Sequence, residues 1–116
     1  MEIWKIGIIF AVRFNRNTMR VIKKRTLVEY YTNNPQAKDA LEDWYAKTED
    51  AQWHNFADIR NTFNSVDYVG NQHYVFNIKG NDFRLVVVIK FTPQQVFIRF
   101  VGTHAEYDKI TNISNL

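Results

Sequence analysis

The sequence has no cysteine, only two prolines and four glycines, and its longest apolar run is Ile6 to Val12. Without cysteine there are no disulfides, thiolate metal sites or cysteine nucleophiles, and a reducing compartment is permitted. The run Ile6 to Val12 falls far short of the ~18 to 20 apolar residues of a membrane-spanning helix. Only Lys5 charges its leading side, and no small-residue cleavage site precedes Arg13, so it does not read as a signal peptide. A cytoplasmic chain with no membrane partner is expected. With breakers so scarce, the few present stand out: Pro35, Gly70-Asn71, Gly80-Asn81 and Pro93-Gln94.

What remains is the composition of a packed domain. In 116 residues, 46% hydrophobic and 23% charged, there is material for one core and no room for a second. The net charge of +3 permits attraction to phosphate without making the chain a polycation. Its distribution says more. Residues 1–25 carry seven bases against Glu2, residues 26–67 three bases against eight acids, and residues 68–116 five bases against three acids. Positive potential is therefore expected on the N-terminal arm and the C-terminal half.

Met19 opens the phrase Met-Arg-Val-Ile, which reads as the first strand of a domain spanning 19–116. Residues 1–18 are then an appendage, either an upstream translation product or a genuine extra element. Leu27, Val28, Tyr30 and Tyr31 recur at helical spacing up to Asn33-Asn34-Pro35, where the residue before proline avoids the α region. Asn34 is expected to cap a second helix with Pro35 at its first position and Ala37, Ala40, Leu41, Trp44 and Tyr45 on one stripe, ending near Asp50. Asn55 and Asp58 introduce a short third helix carrying Phe56, Ile59 and Phe63.

Beyond Ser65 the period changes to two. Strands are expected at Val66 to Val69, His73 to Ile78, Phe83 to Phe91 and Val96 to Val101, joined as antiparallel hairpins. Thr103 and Glu106 then form a capping box that starts a final helix from His104 to about Ile110. The fold class is α+β, an antiparallel-dominated sheet with N-terminal helices packed on one face and a short C-terminal helix.

A turn at Gly80-Asn81 places Ile78 opposite Phe83, Asn77 opposite Arg84 and Val75 opposite Val86. A turn at Pro93-Gln94 places Val88 opposite Arg99 and Val86 opposite Val101. One face then carries Tyr74, Phe76, Ile78, Phe83, Leu85, Val87, Ile89, Phe91, Val96, Ile98 and Phe100, with no charge, and meets the helices. The other carries His73, Val75, Asn77, Arg84, Val86, Val88, Lys90, Phe97, Arg99 and Val101, a mixture that suits an RNA cleft.

In this register Arg84 lies opposite Asn77 and near Thr103, so His104 approaches both, with Lys79 at the hairpin tip. RNA is cut without metal when its own 2′-hydroxyl attacks the adjacent phosphorus, which needs a proton acceptor, a proton donor and stabilisation of the phosphorane. Histidine titrates near neutrality and serves either proton step; arginine grips phosphate with paired donors.

The segments Val75 to Val87 and Phe97 to Asp108 closely resemble HigB toxins of type II toxin-antitoxin systems, and the likeness runs from about Met19 to Lys109. The resemblance implies a RelE-like fold, an mRNA interferase acting on mRNA on the 70S ribosome, and neutralisation by a HigA-type helix-turn-helix antitoxin. It assigns Arg84 to the scissile phosphate and a catalytic or substrate-contacting role to His104, with Tyr107 nearby. RelE has lysines on the strand before that arginine, whereas this chain has Val75 and Asn77 there and keeps Lys79 on the turn. The catalytic set is therefore Arg84, His104, Lys79 and Tyr107, with His104 for proton transfer and Lys79 for phosphate contact. Asn77, His73 and Arg99 on the sheet, and Lys23, Lys24 and Arg25 opening the first helix, are the expected RNA contacts.

Each residue also has an ordinary structural role to weigh. Arg84 could reach solvent along the sheet or pair with Asp82, His104 could be a solvated first-turn residue, and the Lys23 to Arg25 run could be a solvated face. Glu106 is explained by its cap and is left out of the site. His54 and His73 lack ligand-spaced partners, so neither metal nor cofactor is expected. Trp44, Tyr45 and Trp53 read as core. Two other functions use the same face: a noncatalytic RNA- or protein-binding module, and a degenerate toxin that binds antitoxin without cleaving RNA.

Overall fold

A computed structural model describes residues 18–116. The apolar run Ile6 to Val12 and the bases Lys5, Arg13 and Arg16 lie outside the described residues. The elements in chain order are β1 (Arg20–Ile22), α1 (Lys24–Asn33), a 3-10 turn (Pro35–Ala37), α2 (Lys38–Asp50), α3 (Phe56–Thr62), β2 (Val66–Gly70), β3 (His73–Ile78), β4 (Phe83–Lys90), β5 (Gln95–Thr103), α4 (His104–Asp108) and a second 3-10 turn (Ile113–Asn115). The sheet has the order β1-β5-β4-β3-β2. Among the described strands only β1 runs parallel to its neighbour, pairing Val21 with Val96. The expected α+β class holds. Among the described residues no helix is long and apolar enough to cross a membrane.

Most boundaries follow from the local chemistry read above. The Asn55 side chain accepts from the Asp58 amide at 2.9 Å and starts α3, satisfying one of the donors that every helix start leaves open. Asn34 behaves differently from the expectation. Its side chain makes no N-cap; it donates instead to the Tyr30 carbonyl at 2.9 Å and closes the end of α1. Pro35 therefore opens a 3-10 turn, and α2 begins three residues later at Lys38.

The helices cover one face of the sheet. Leu27, Leu41, Trp44, Trp53 and Ile59 are buried against Phe76, Ile78, Leu85, Val87, Ile89 and Val96. Trp44 meets the Phe76 ring edge-on at 5.5 Å, Trp53 stacks on the same ring at 6.5 Å, and Phe63 closes the cluster at 5.2 Å. The expectation that these tryptophans are core is met: both are 1% exposed.

The β3–β4 hairpin has the expected register, with Asn77 opposite Arg84 and Val75 opposite Val86. Asp82 N donates to Lys79 O at 3.2 Å, and Lys79 and Gly80 both take positive φ, 54° and 64°. Glycine carries that conformation without cost, whereas the lysine does so against the preference of its Cβ.

The β4–β5 register differs. Its turn centres on Thr92-Pro93, one residue earlier than expected, so Val88 faces Phe97 and not Arg99. The reason lies in Gln94, whose side chain is tied to the backbone of Trp53 and to Phe91 O, which takes it out of the turn centre. A bulge between Val86 and Val87 then skips Arg99, so that Val87 pairs with Ile98 but Val86 pairs with Phe100. One extra residue reverses every later side chain. Phe100 therefore leaves the helix-covered face for the opposite one, and Val101 makes the reverse exchange and packs on the core. Both expected placements are corrected.

The second face is also less open than its composition suggests. The chain after α4 folds back over it: Asn71 Nδ2 donates to Ser114 O at 3.0 Å, and a His73 ring nitrogen meets Leu116 O at 3.0 Å. Val75, Val86 and Val88 are buried there. The β4–β5 side keeps Arg84, Lys90, Phe97, Arg99 and Phe100 at least partly exposed.

Candidate functional site

The site is built at the end of the sheet where β3 turns into β4 and β5 runs into α4. Arg84 occupies the second position of β4, with Asn77 on one side and Gly102 on the other. Its guanidinium donates to Asn81 Oδ1 at 2.8 Å and to the carbonyls of Asn81 and Phe83 at 3.2 Å each. The expected alternative partner, Asp82, is not the one it takes. All three acceptors are neutral, so the positive charge stays uncompensated by them and is held in place by the turn. A phosphate arriving here would exchange neutral acceptors for anionic ones, pairing opposite charges.

Gly102 explains the shape beside Arg84. A Cβ at this position would come within 2.6 Å of the Phe100 ring and within 2.6 Å of Glu106 Oε1. The missing side chain lets an aromatic ring lie against the backbone next to the arginine. Phe100 is a residue that sequence reasoning missed, because the bulge that exposes it leaves no mark in the period-two pattern.

His104 is brought to the same end by two independent anchors. Its amide donates to Asp82 O at 3.0 Å, which fastens the start of α4 to the hairpin turn. The capping box is complete: Thr103 Oγ1 accepts from Glu106 N at 3.1 Å, and Glu106 Oε1 accepts from Thr103 N at 2.7 Å. Asp108 Oδ2 lies 3.0 Å from His104 Nδ1, one helical turn on. A carboxylate at Nδ1 fixes the ring so that Nε2 is the nitrogen left for a proton transfer.

Tyr107 faces Arg84, the guanidinium carbon lying 5.9 Å from its ring centroid. Burial raises the Tyr107 pKa above the ordinary phenol value; Arg84 opposes this, and Asp67 and Asp108 add to it. The shift disfavours ionisation and keeps the phenol a hydrogen-bond donor.

The other sequence candidates are distributed as follows. Asn77 belongs to the cluster by its pairing with Arg84, and its side chain donates to Ser65 Oγ. Lys79 sits exposed at the hairpin tip and lines a shallow recess with Asp43 and Trp44 of α2. His73 is 4% exposed at the far end of β3, with Asn71 O 2.7 Å from Nδ1 and Leu116 O at Nε2. Arg99 is exposed on the bulge. The Lys23 to Arg25 run lies at the start of α1, away from this cluster: Lys23 has φ 71°, Lys24 is 3.5 Å from Glu42 and over the Tyr45 ring, and Arg25 is 3.2 Å from Glu29. Among the described residues no three His, Asp or Glu side chains gather where they could hold one metal ion.

Residues 37–110 match the model of the HigB toxin family, described as the RelE-like toxic component of a toxin-antitoxin system. The chain belongs to this family. It is similar to a protein of Escherichia coli O6:H1 named mRNA interferase HigB, with 28% identity over 95 residues that cover 80% of this chain and 92% of the relative. A shorter stretch of higher identity, 46% over 43 residues, links it to the mRNA interferase toxin HigB of Escherichia coli K12 and to the mRNA interferase HigB of Shigella flexneri. That stretch covers 37% of this chain and 41% of each relative. For a HigB-family toxin, the end of the sheet that gathers Arg84, Asn77, Tyr107 and His104 falls inside the matched region, as does the capping box that positions α4.

Proposed function

We propose that this HigB-family chain is an mRNA endoribonuclease that cuts RNA by attack of the 2′-hydroxyl on the adjacent phosphorus. The observation that carries the reading is Arg84, hydrogen-bonded to neutral groups, at the end of the sheet where α4 begins with a histidine whose Nδ1 lies 3.0 Å from Asp108. The names of its relatives, mRNA interferases, point to the same substrate.

The roles follow from the chemistry of each group. Arg84 binds the scissile phosphate and stabilises the charge that grows on its oxygens. His104 transfers a proton through Nε2, oriented by Asp108. The 2′-oxygen forms a bond to phosphorus while the bond to the 5′-oxygen breaks; the 2′-proton leaves to a base and the 5′-oxygen takes one up. The products are a 2′,3′-cyclic phosphate and a 5′-hydroxyl. Tyr107, held neutral by burial, donates a hydrogen bond or the proton for the leaving oxygen. Asn77 and Lys79 contact the RNA backbone, and Lys79 does so from the hairpin tip.

Cleavage takes place on the 70S ribosome, and a HigA-type helix-turn-helix antitoxin neutralises the toxin. The Lys23, Lys24 and Arg25 run, on a separate surface from the site, is available to ribosomal RNA; His73 serves the RNA face by pinning the segment that borders it. Primer extension on an mRNA in a purified translation system, with and without ribosomes, tests the proposal. New RNA ends that require ribosomes are expected. Intact RNA in both conditions, from folded protein, would replace the enzyme by a binding module.

A further inference from the structure

The bulge at Arg99 leaves an alternation of cations and rings along one side of the second sheet face. Starting from Arg84, β5 presents Phe100 beside Gly102, then Arg99, then Phe97 opposite Val88; β4 ends with Lys90 opposite Gln95. Arg99 lies 5.8 Å from the Phe97 ring centroid, and Lys90 Nζ donates to Gln72 Oε1 at 2.7 Å. The far part is a groove whose opposite wall is Asn115 and Leu116 of the returning C-terminal segment. Among the described residues, no Asp or Glu side chain lines it.

We infer that this strip of β5, together with the groove it leads into, is a second RNA subsite, which holds the single strand on one side of the cleavage point, with bases against Phe100 on the strip and Phe97 in the groove and phosphates on Arg99 and Lys90. The inference rests on the proposed cleavage at Arg84 for its substrate, but the subsite is separate from the chemistry. Four to six strand residues separate the Arg84 row from Val88 and Lys90, about 14 to 20 Å, a span of a few extended nucleotides. Rings interleaved with cations suit single strands because every base has a face to stack and every linkage a charge to neutralise. Arg99 is the residue released from the ladder by the bulge, and Phe100 is the residue that the same bulge turns outward. An acidic protein segment would use the cations equally well, but the two half-exposed rings favour bases.

The test is fluorescence anisotropy of the full chain with single-stranded oligonucleotides, made uncleavable by 2′-deoxy substitution, across a salt series. The proteins are wild type, Lys90→Ala/Arg99→Ala and Phe97→Leu, each also carrying Arg84→Ala in a second set. The double variant should bind at least about tenfold more weakly, and the slope of log affinity against log salt should fall by about 0.7 per cation removed. Phe97→Leu should weaken binding about five- to tenfold with no change in slope. Extending the oligonucleotide should raise affinity on one side of the cleavage site only, and that gain should vanish in the double variant. The same losses in the Arg84→Ala set keep the subsite even if no cleavage is ever seen. Unchanged affinity and slope in the double variant, no RNA binding by the wild type, or a loss confined to binding of the antitoxin would overturn it.

Discussion

The Phe100 ring fills the space that a side chain on Gly102 would need, 2.6 Å from where its Cβ would stand. Two strand positions thus share one volume beside Arg84, and the glycine is required by a close approach. Gly102→Ala should cost about 1 to 3 kcal/mol, since the ring must rotate and Glu106, also 2.6 Å away, must leave its capping position. Urea denaturation measures this. Gly102→Ala combined with Phe100→Leu should recover part of the loss, and a double variant no better than the single would contradict the shared-volume explanation.

Thr103 holds α4 in place through the capping box. Thr103→Ala should destabilise by about 1 kcal/mol, and Thr103→Ser by much less, because serine keeps the accepting oxygen. If α4 positions His104, Thr103→Ala should also lower cleavage by more than its stability loss explains, at a temperature where the protein remains folded.

His104 and Asp108 form an oriented pair at 3.0 Å. Asp108→Asn should reduce the cleavage rate about tenfold or more while leaving RNA binding intact, because it disturbs the ring's tautomer and orientation without removing a substrate contact. An unchanged rate and pH profile in Asp108→Asn would show that the pair is a surface contact.

Burial raises the phenol pKa of Tyr30, Tyr74 and Tyr107 above the usual 10.0. A raised folded-state pKa means that the folded chain holds these protons more tightly than the unfolded one. Their contribution is therefore fully present below pH 10 and is lost as pH rises through the folded values. Urea midpoints should fall between pH 9 and pH 11, flanking that value, and Tyr74→Phe should make the fall shallower. A fall of the same steepness in Tyr74→Phe would count against Tyr74 as a source.

What was legible in the sequence was governed by local chemistry. The caps at Asn55 and Thr103 and the register of Asn77 with Arg84 all depend on residues within a few positions of one another, and these expectations hold. Asn34 is the local exception, its side chain taken by Tyr30 O four residues back; the other errors came from distant partners. Gln94 moved the second turn because Trp53, 41 residues away, holds its side chain. The bulge at Arg99 redistributed Phe100 and Val101 without breaking the composition of either face. His73 looked like a member of a polar surface because nothing in its neighbourhood announces that Leu116 returns to cover it. That Arg84, Asn77 and the start of α4 share one end of the sheet was readable, since they flank one hairpin turn and one capped helix; the course of β5 away from that end was not, because it depends on a single extra residue.

The most direct test of the central claim is single-turnover cleavage of a ribosome-bound mRNA by wild type, Arg84→Ala, Arg84→Lys and His104→Ala, after each is shown to fold and to bind its antitoxin. Arg84→Ala and His104→Ala should each slow cleavage by about 10² to 10³, and Arg84→Lys should recover only part of the rate because lysine keeps the charge without the paired donors. Cleavage at the wild-type rate by both alanine variants would contradict the assignment of the reaction to this end of the sheet.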